Sequence, residues 1–508
     1  MKQHVEVRKG QYHDSVTLLS VSRTVAAVEG IAAAQVAMAT ELNLDVLTGM
    51  GFEVPPSAPE DLVVAVRVAD DAEDPDAAVQ AALAVLADAL STKEAGPTGA
   101  AAEPARTTGI ALARQPAPVA VVSVPGRHAT VEALDAVRAG SSVMVFSDNV
   151  PVADEVLLKR EAARRGVLVM GPDCGTAVVG GVGLGFANVV RPGPVSLVAA
   201  SGTGAQHLMA LLDAAGIGVR HCLGLGGRDL GAEVGGLGAE QALRVLAADE
   251  ATEMVVLVSK PADPQVVARL EDVAADLGLR VEWATLGADQ PHLTAAAERV
   301  CAALGRQVPT WPTWGDVDRA TADRAEGLVR GLFAGGTLCD EAMAVAGRRL
   351  GPIASNIPLA GWPALAVDGP SALAAALRGA GHAMVDLGDD ALTQGRAHPM
   401  IDPSLRLEAL RETAADERVR VVLLDVVLGH GAHADPAAEH APVIRDVLSS
   451  ARAAGHALDV VVSLTGTAGD PQGRDAQAEA LAAAGAAVLL SNAAATDLAV
   501  DLASGAQR

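Results

Sequence analysis

Short β-branched runs, glycine-rich turns and amphipathic helices alternate along most of the chain. Residues 119–124 predict a strand, followed by Pro125-Gly126 and a helix over 128–139; 143–146 and 167–170 predict the next strands. After Arg191-Pro192-Gly193-Pro194 the rhythm restarts with a strand at 195–200 and the turn Ser201-Gly202-Thr203-Gly204. The helix that follows places Leu208, Leu211, Leu212 and Ala215 on one stripe at i, i+3, i+4 and i+7. Strands at 220–225, 254–259 and 280–285 come next, the first ending in Gly226-Gly227-Arg228-Asp229 and the second in Ser259-Lys260-Pro261. None of these runs alternates apolar with polar positions, so both faces of each strand are expected to be buried, as in parallel sheets.

Residues 307–324, with Pro309, Trp311, Pro312 and Trp314, are aperiodic and read as a linker. Beyond it, Gly335-Gly336-Thr337 opens a helix over 338–350, and 385–387, 419–427, 460–464 and 487–490 predict strands. Ahead of residue 110, strands are expected at 5–9 and 62–68 and a helix at 77–90. Residues 91–108, with Gly96, Pro97, Gly99 and Pro104, read as a flexible insertion.

The 508 residues suggest about three domains at roughly 150 residues each. Half the residues are hydrophobic, yet only four Phe, four Trp and one Tyr occur, so the cores must be packed from Ala, Val and Leu. Such a chain lacks the aromatic platforms that single-stranded nucleic acid stacks on. A net charge of -24 repels phosphate backbones and anionic lipid, and argues against nucleic-acid and membrane roles. The start, MKQHVEVRKGQYHD, has no apolar signal core, and no run reaches about 18 apolar residues. Cys174, Cys222, Cys301 and Cys339 are far apart, which argues against a disulfide framework or a structural metal site. A cytoplasmic protein without a bound metal is expected.

A glycine turn between a strand and a helix lets backbone N–H groups and the positive end of the helix dipole meet an anion. Ser201, Gly202, Thr203 and Gly204 form one such loop, with two hydroxyls; Gly226 and Gly227 form another, with Arg228 as a bidentate clamp for a carboxylate. Each loop, taken alone, serves equally well as a tight turn and helix cap. Lys260 ends a strand, where it either meets an anion or simply stops the strand at the surface. Arg396-Ala397-His398-Pro399-Met400-Ile401-Asp402 offers an arginine and an acid–base histidine, His398, with Asp402 to fix its tautomer. Asp386, Asp389 and Asp390 suit Mg²⁺ with a phosphate ligand or, more simply, a helix cap. His430, His433 and Asp435 read as solvated loop residues rather than metal ligands. Cys174 reads as a buried structural thiol.

These motifs carry a resemblance. Residues 146–176, FSDNVPVADEVLLKREAARRGVLVMGPDCGT, resemble the end of the CoA-binding domain of the succinyl-CoA synthetase α subunit. SGTGAQ and GLGGRDLGAEVGG are similar to that subunit's ligase loops, and residues 386–429 and 459–503 to the β subunit's ligase domain. Order and motifs together (KGQYHDSV, FSDNV, GPDCGT, GLGGRDL, VSKP, GGTL, DLGDD, HPMIDP, LLDVVLG) resemble the FdrA family. The resemblance implies an α/β fold: a Rossmann-like CoA-binding-type domain over 1–192, then two flavodoxin-like, succinyl-CoA-synthetase-type ligase domains over 193–306 and 325–508.

Three features depart from the synthetase pattern. No ATP-grasp domain is expected in these residues. Gly287-Ala288-Asp289-Gln290-Pro291-His292 stands in place of the phosphohistidine loop, with His292 an ordinary helix-start residue. The loop expected to hold the CoA diphosphate reads Lys9-Gly10-Gln11-Tyr12-His13-Asp14, poor in glycine, so CoA is no more than a candidate cofactor. The resemblance implies an enzyme subunit acting with separately encoded subunits on a small anionic substrate: a carboxylate, acyl phosphate or carbamoyl phosphate. The family is linked to allantoin and purine breakdown as a component of an oxamate carbamoyltransferase, and the missing parts favour that group transfer. A ligase subunit that borrows an ATP-grasp partner is the alternative, and a non-catalytic binding subunit a third. No G-x-G-x-x-G fingerprint supports an NAD-linked oxidoreductase. Lys260, Arg228 and His398 are the expected catalytic residues, with Ser201, Gly202, Thr203, Gly204, Gly226 and Gly227 holding the ligand.

Overall fold

The computed structural model describes residues 2–11, 13, 15–69, 72, 74–91, 105–287, 290–318, 326–394 and 396–505. They divide into two compact units, one made by residues up to Ala105 with 395–397, the other by the rest.

In the first unit β1 (Gln3–Arg8), β2 (Ile31–Met38) and β3 (Leu62–Val68) form an antiparallel sheet in the order β1-β3-β2. The helices Ser15–Ala26 and Pro75–Ser91 cover one face of β3 through Leu18, Val21, Val25, Ala82 and Leu86; Leu47 and Phe52 pack on the other face. A Rossmann domain needs parallel strands joined by crossover helices, whereas β3 here runs against both neighbours. The domain expected over 1–192 is therefore divided, with its first part a separate antiparallel unit. The Lys9–Asp14 segment joins β1 to a helix of that unit; Tyr12 and Asp14 lie outside the described residues. So does most of the expected flexible insertion, residues 92–104.

The second unit has parallel sheets, as the unalternating apolar runs require. β4 (Val119–Val122), β5 (Ser142–Val145) and β6 (Val169–Met170) make a three-stranded parallel sheet. A six-stranded sheet follows, ordered β12-β11-β9-β10-β7-β8. It is built from β7 (Thr176–Val179), β8 (Val182–Gly185), β9 (Val195–Ala200), β10 (Val219–Gly224), β11 (Met254–Ser259) and β12 (Val281–Thr285). β9 to β12 are parallel; β7 and β8 form an antiparallel hairpin on the edge, turned by Gly180 and Gly181 at φ 59 and 84°. This sheet thus begins before residue 193. The second six-stranded sheet is ordered β13-β18-β17-β16-β14-β15. Its members are β13 (Thr313–Trp314), β14 (Leu328–Phe333), β15 (Ala383–Asp386), β16 (Val419–Val427), β17 (Asp459–Thr465) and β18 (Ala487–Leu489), with only β13 antiparallel. The expected linker therefore supplies an edge strand; its residues 319–324 lie outside the described residues.

A layer of helices joins the two larger sheets, and one apolar cluster runs from Leu197 and Leu208 through Leu338 and Met343 to Val421 and Leu498. Gly202–Ala214 is buried around nearly its whole circumference because sheet lies on one side and helices on the other. Polar bonds cross the same layer. Thr294 and Ser491 share a hydrogen bond of 2.7 Å, and Asn188 donates to Asp470 at 2.7 Å. Glu341 accepts from the Leu293 N–H and the Asn492 amide. His207 Nδ1 meets Thr465 Oγ1 at 2.8 Å, while its Nε2 accepts from the Asn492 N–H at 3.3 Å.

His207 has a thermodynamic consequence. Burial, with a smaller contribution from His292, pushes its pKa down from 6.5 to about 3. In that window the unfolded chain takes up a proton that the folded chain refuses. The stability from a neutral His207 is full above about pH 6.5 and is lost as pH falls towards 3, at about 1.4 kcal/mol per pH unit. His207→Gln is expected to flatten the pH dependence of denaturant unfolding between pH 6 and 4 by that slope. An unchanged slope would mean that His207 already titrates in the fold.

Candidate functional site

The C-terminal ends of β9 and β14 point at each other. β9 runs into Ser201, the N-cap of the Gly202–Ala214 helix, and β14 into Gly335, the N-cap of the Gly336–Leu350 helix. Ser201 Oγ accepts from the Gly204 N–H at 3.0 Å and shares a 2.6 Å hydrogen bond with Thr337 Oγ1. A β-carbon on Gly335 would lie 2.7 Å from Thr203 Oγ1, so only glycine lets the two turns close on each other. The Ser201 hydroxyl is therefore engaged within the fold. What the loops leave for a ligand is backbone: among the described residues, the N–H groups of Gly202, Thr203, Gly336 and Thr337 have no acceptor. Two helix dipoles end there together.

Gly335 is held from behind. Asp425, fully buried in β16, accepts from the Ala334 N–H at 2.7 Å and the Gly335 N–H at 2.9 Å. Its charge is met by Arg406 at 2.9 Å. Arg406 also donates to His440 Nε2 at 2.8 Å, and His440 Nδ1 bonds the Pro436 carbonyl at 2.7 Å. Sequence reasoning missed this anchor, although an aspartate inside the otherwise apolar 421–427 run signals a buried bonding role.

Lys260, at the end of β11, reaches this place. Its Nζ lies 2.9 Å from where a Gly336 β-carbon would be, and Asp386 Oδ2 lies 2.5 Å from the same point. Lys260 makes no hydrogen bond or ion pair with the described residues. Asp386 Oδ1 accepts from the Gly388 N–H at 2.9 Å; Oδ2 has no donor among the described residues. Burial pushes Asp386 up to about 7 and Asp340 up to about 6, each against the pull of Lys260. Asp173 also stands within reach of Lys260 and Arg228; desolvation first, then Asp148 and Asp390, push it up to about 6.

The other expected residues fall around this centre with altered roles. Arg228 pairs with Glu155 at 2.9 Å and donates to the Val150 carbonyl, both through one terminal nitrogen, so that end of its fork is engaged within the fold. Asp229 is not its partner: it accepts from Lys159 at 2.7 Å and from the Gly238 and Ala239 N–H groups. Gly226, at φ 80°, packs on the carbonyl of Pro172, while Gly227 borders open space. His398 Nε2 lies 2.7 Å from where a Gly388 β-carbon would be, on the far side of Asp386. Its Nδ1 accepts from the Met400 N–H at 3.2 Å, so Nε2 carries the proton of the neutral ring. Asp402 bonds Ser404 N instead and does not set that tautomer. Burial, with Arg406, pushes His398 down to about 4, which makes it a hydrogen-bond donor at neutral pH rather than an acid–base group.

Asp389 caps the short helix after β15, as expected. Asp435 caps the Pro436–Ala453 helix, and His433 accepts from the Asp435 N–H; no metal-holding cluster occurs among the described residues. Cys174 is buried and pushed up to about 12 by burial. His292 caps its own helix by accepting from the Ala295 N–H at 3.1 Å. Ala288 and Asp289 lie outside the described residues.

Parallel sheets bearing glycine turns at the C-terminal ends of their strands fit a succinyl-CoA synthetase-like ligase architecture. The CoA-ligase family model matches residues 332–502. The chain belongs to the FdrA family: it is 34% identical over 508 residues to the uncharacterized protein YahF of Escherichia coli (strain K12), an alignment covering 96% of this chain and 95% of that one. The succinate–CoA ligase [ADP-forming] subunit alpha of Methanothermobacter thermautotrophicus is 29% identical over 143 residues, 28% of this chain and 47% of that subunit. Subunit alpha 2 of Archaeoglobus fulgidus is 29% identical over 161 residues, 31% and 53% of the two chains. This chain spans about half the length of those subunits. Among solved structures, the dinucleotide-forming acetyl-coenzyme A synthetase 1 of Ca. Korarchaeum cryptofilum covers 76% of this chain and 82% of its own at 15% identity, with a TM-score of 0.27.

Residues 1–104 match the model described as AllF, heavy metal-associated domain. The described residues do not fit a heavy-metal site. The first cysteine of the chain is Cys174, Met38 is buried in the core, and His4 bonds Glu6. Soft metals need thiolate or thioether ligands gathered at one point. No helix among the described residues is long and apolar enough to cross a membrane.

Proposed function

We propose that the meeting point of the Gly202 and Gly336 helices holds the phosphate of a group-transfer reaction, and that the chain serves as a component of an oxamate carbamoyltransferase. The observation that carries this is the pair of helix N-termini that still present free N–H groups, with Lys260 beside them and, among the described residues, no histidine placed to take a phosphoryl group. Backbone N–H groups and one lysine bind a phosphate without becoming phosphorylated. In the reaction, a phosphate oxygen attacks the carbamoyl carbon of carbamoyl-oxamate. The bond from that carbon to the oxamate nitrogen breaks, and the proton of monohydrogen phosphate passes to the departing nitrogen. Carbamoyl phosphate and oxamate result, with no nucleotide consumed. Lys260 and the loop N–H groups hold the attacking phosphate; His398 Nε2–H donates from the other side of Asp386. CoA has no step in this scheme, and separately encoded subunits are expected to complete the enzyme.

The test is a choice between two assays on the chain reconstituted with its partner proteins. Phosphate-dependent release of oxamate from carbamoyl-oxamate is the expected activity. ATP- and CoA-dependent thioester formation in its place would make the chain a ligase subunit that borrows a nucleotide domain. Neither activity, with ligand binding retained, would make it a binding subunit.

A further inference from the structure

An anion site should be lined by cations, and this one is not. Asp386 and Asp340 are each 6% exposed and stand beside Lys260. Among the described residues, Asp340 has no hydrogen-bond donor, and neither does Asp386 Oδ2. Two carboxylates so placed would repel the very phosphate that the helix N-termini attract. Their oxygens still reach solvent, and a ligand seated above Gly336 covers them, so it must bring donors to replace the water it displaces.

We infer that Asp386, with Asp340, accepts hydrogen bonds from the –NH₂ of a carbamoyl group, so that the site selects carbamoyl over acyl substrates. The inference rests on the phosphate site proposed above. A carbamoyl phosphate carries both kinds of group: oxygens for the helix N-termini and Lys260, and two N–H donors close by on the adjoining carbon. An acyl phosphate of the same size presents a methyl instead, leaving the carboxylates desolvated and unpaired. Asp386 Oδ2 and Lys260 Nζ converge on one point above Gly336, which matches a ligand whose anionic and amide ends lie a few bonds apart. The competing account is a divalent cation held by Asp386 together with a phosphate ligand. Lys260 already occupies the cation's place beside Asp386, which favours the amide.

Isothermal titration of the full chain decides between these accounts. The ligands are inorganic phosphate, phosphonoacetamide (a hydrolysis-resistant carbamoyl phosphate mimic) and 2-oxopropylphosphonate, in which methyl replaces the amine. The wild type is expected to bind the amide at least about 100-fold more tightly than the methyl ligand, because a site built around a substrate N–H rejects an analogue lacking it. Asp386→Ala and Asp340→Ala are each expected to weaken the amide about tenfold or more and to leave the methyl ligand within about twofold. Asp386→Asn, which keeps the shape, stands in should the alanine variant fail to fold. Equal affinity for both ligands in the wild type, with phosphate still bound, would overturn the amide inference and leave the phosphate site standing. A preference that appears only with Mg²⁺ and vanishes with chelator would overturn it in favour of the metal. Failure to bind phosphate at all would overturn both.

Discussion

Lys260→Ala is expected to lower turnover about 100- to 1,000-fold while leaving the melting temperature almost unchanged. The rate effect follows from what surrounds the lysine. Asp386, Asp340 and Asp173 all lie within reach of its charge, and Arg228 reaches only Asp173 of the three, with one terminal nitrogen already on Glu155 and the Val150 carbonyl. Without Lys260 the helix N-termini alone oppose three carboxylates at the proposed phosphate site. Loss of one preorganised donor of this kind costs about 10²–10³ in rate. The stability effect is small because Lys260 bonds none of the described residues, and removal of such a side chain stays within about 0.5 kcal/mol. Lys260→Arg keeps the charge but replaces a point donor by a planar fork, so only part of the rate should return. A second signature separates binding from mere structure. Lys260 holds Asp386 and Asp340 down, so its removal lets both rise further, from about 7 and about 6. If the ionised carboxylates are the working form, the acid limb of the pH–rate profile must move to higher pH in Lys260→Ala. A pH profile and melting temperature both unchanged, with rate also unchanged, would remove Lys260 from the site.

Much of this centre is legible in the chain because its parts are local. Strand, glycine turn and helix are contiguous at Ser201–Gly204, Gly226–Asp229 and Gly335–Thr337, and β9, β11 and β16 occupy the residues that their unbroken apolar runs predict. The convergence is not legible, because Lys260 and Asp386 belong to different sheets and meet only when Gly335 lets the two turns touch. Nor does a hydroxyl in a loop show whether it faces a ligand: Ser201 is spent on its own helix and on Thr337. The strands left unpredicted have sequence reasons. β2 is IAAAQVAM, where alanines dilute the β-branched signal. β14 is interrupted by Arg330, a residue rarely found inside. It is buried because its guanidinium donates to the Leu377, Ala380 and Gly381 carbonyls at the end of the neighbouring helix. In the first unit the strands at 5–9 and 62–68 were expected, but apolar pattern alone says nothing about the direction in which they pair. That direction separates the antiparallel unit from half of a Rossmann sheet.

Asp425→Ala is expected to be the most destabilising of the substitutions considered, by about 3–5 kcal/mol. The carboxylate is fully buried and supports three donors: the Ala334 and Gly335 N–H groups and the Arg406 guanidinium. Removing it strands a buried cation as well as two backbone N–H groups, and breaking one side of a buried pair costs about that much. Arg406 remains tied to His440, whose burial pushes its pKa down to about 3, so no new negative charge is at hand to compensate. Asp425→Asn should fall between, since one amide oxygen can accept from the turn but cannot neutralise Arg406. The double variant Asp425→Ala/Arg406→Met separates stability from function. Taking away the stranded charge should recover much of the lost stability, because a buried pair replaced by apolar groups is often near neutral. The Ala334–Gly335 turn, however, still lacks its anchor, so the Gly336 N–H is no longer aimed. Denaturant unfolding should therefore show recovery in the double variant, and phosphate titration should not. Recovery of both would reduce Asp425 to a packing role and leave the Gly336 helix holding its position without it.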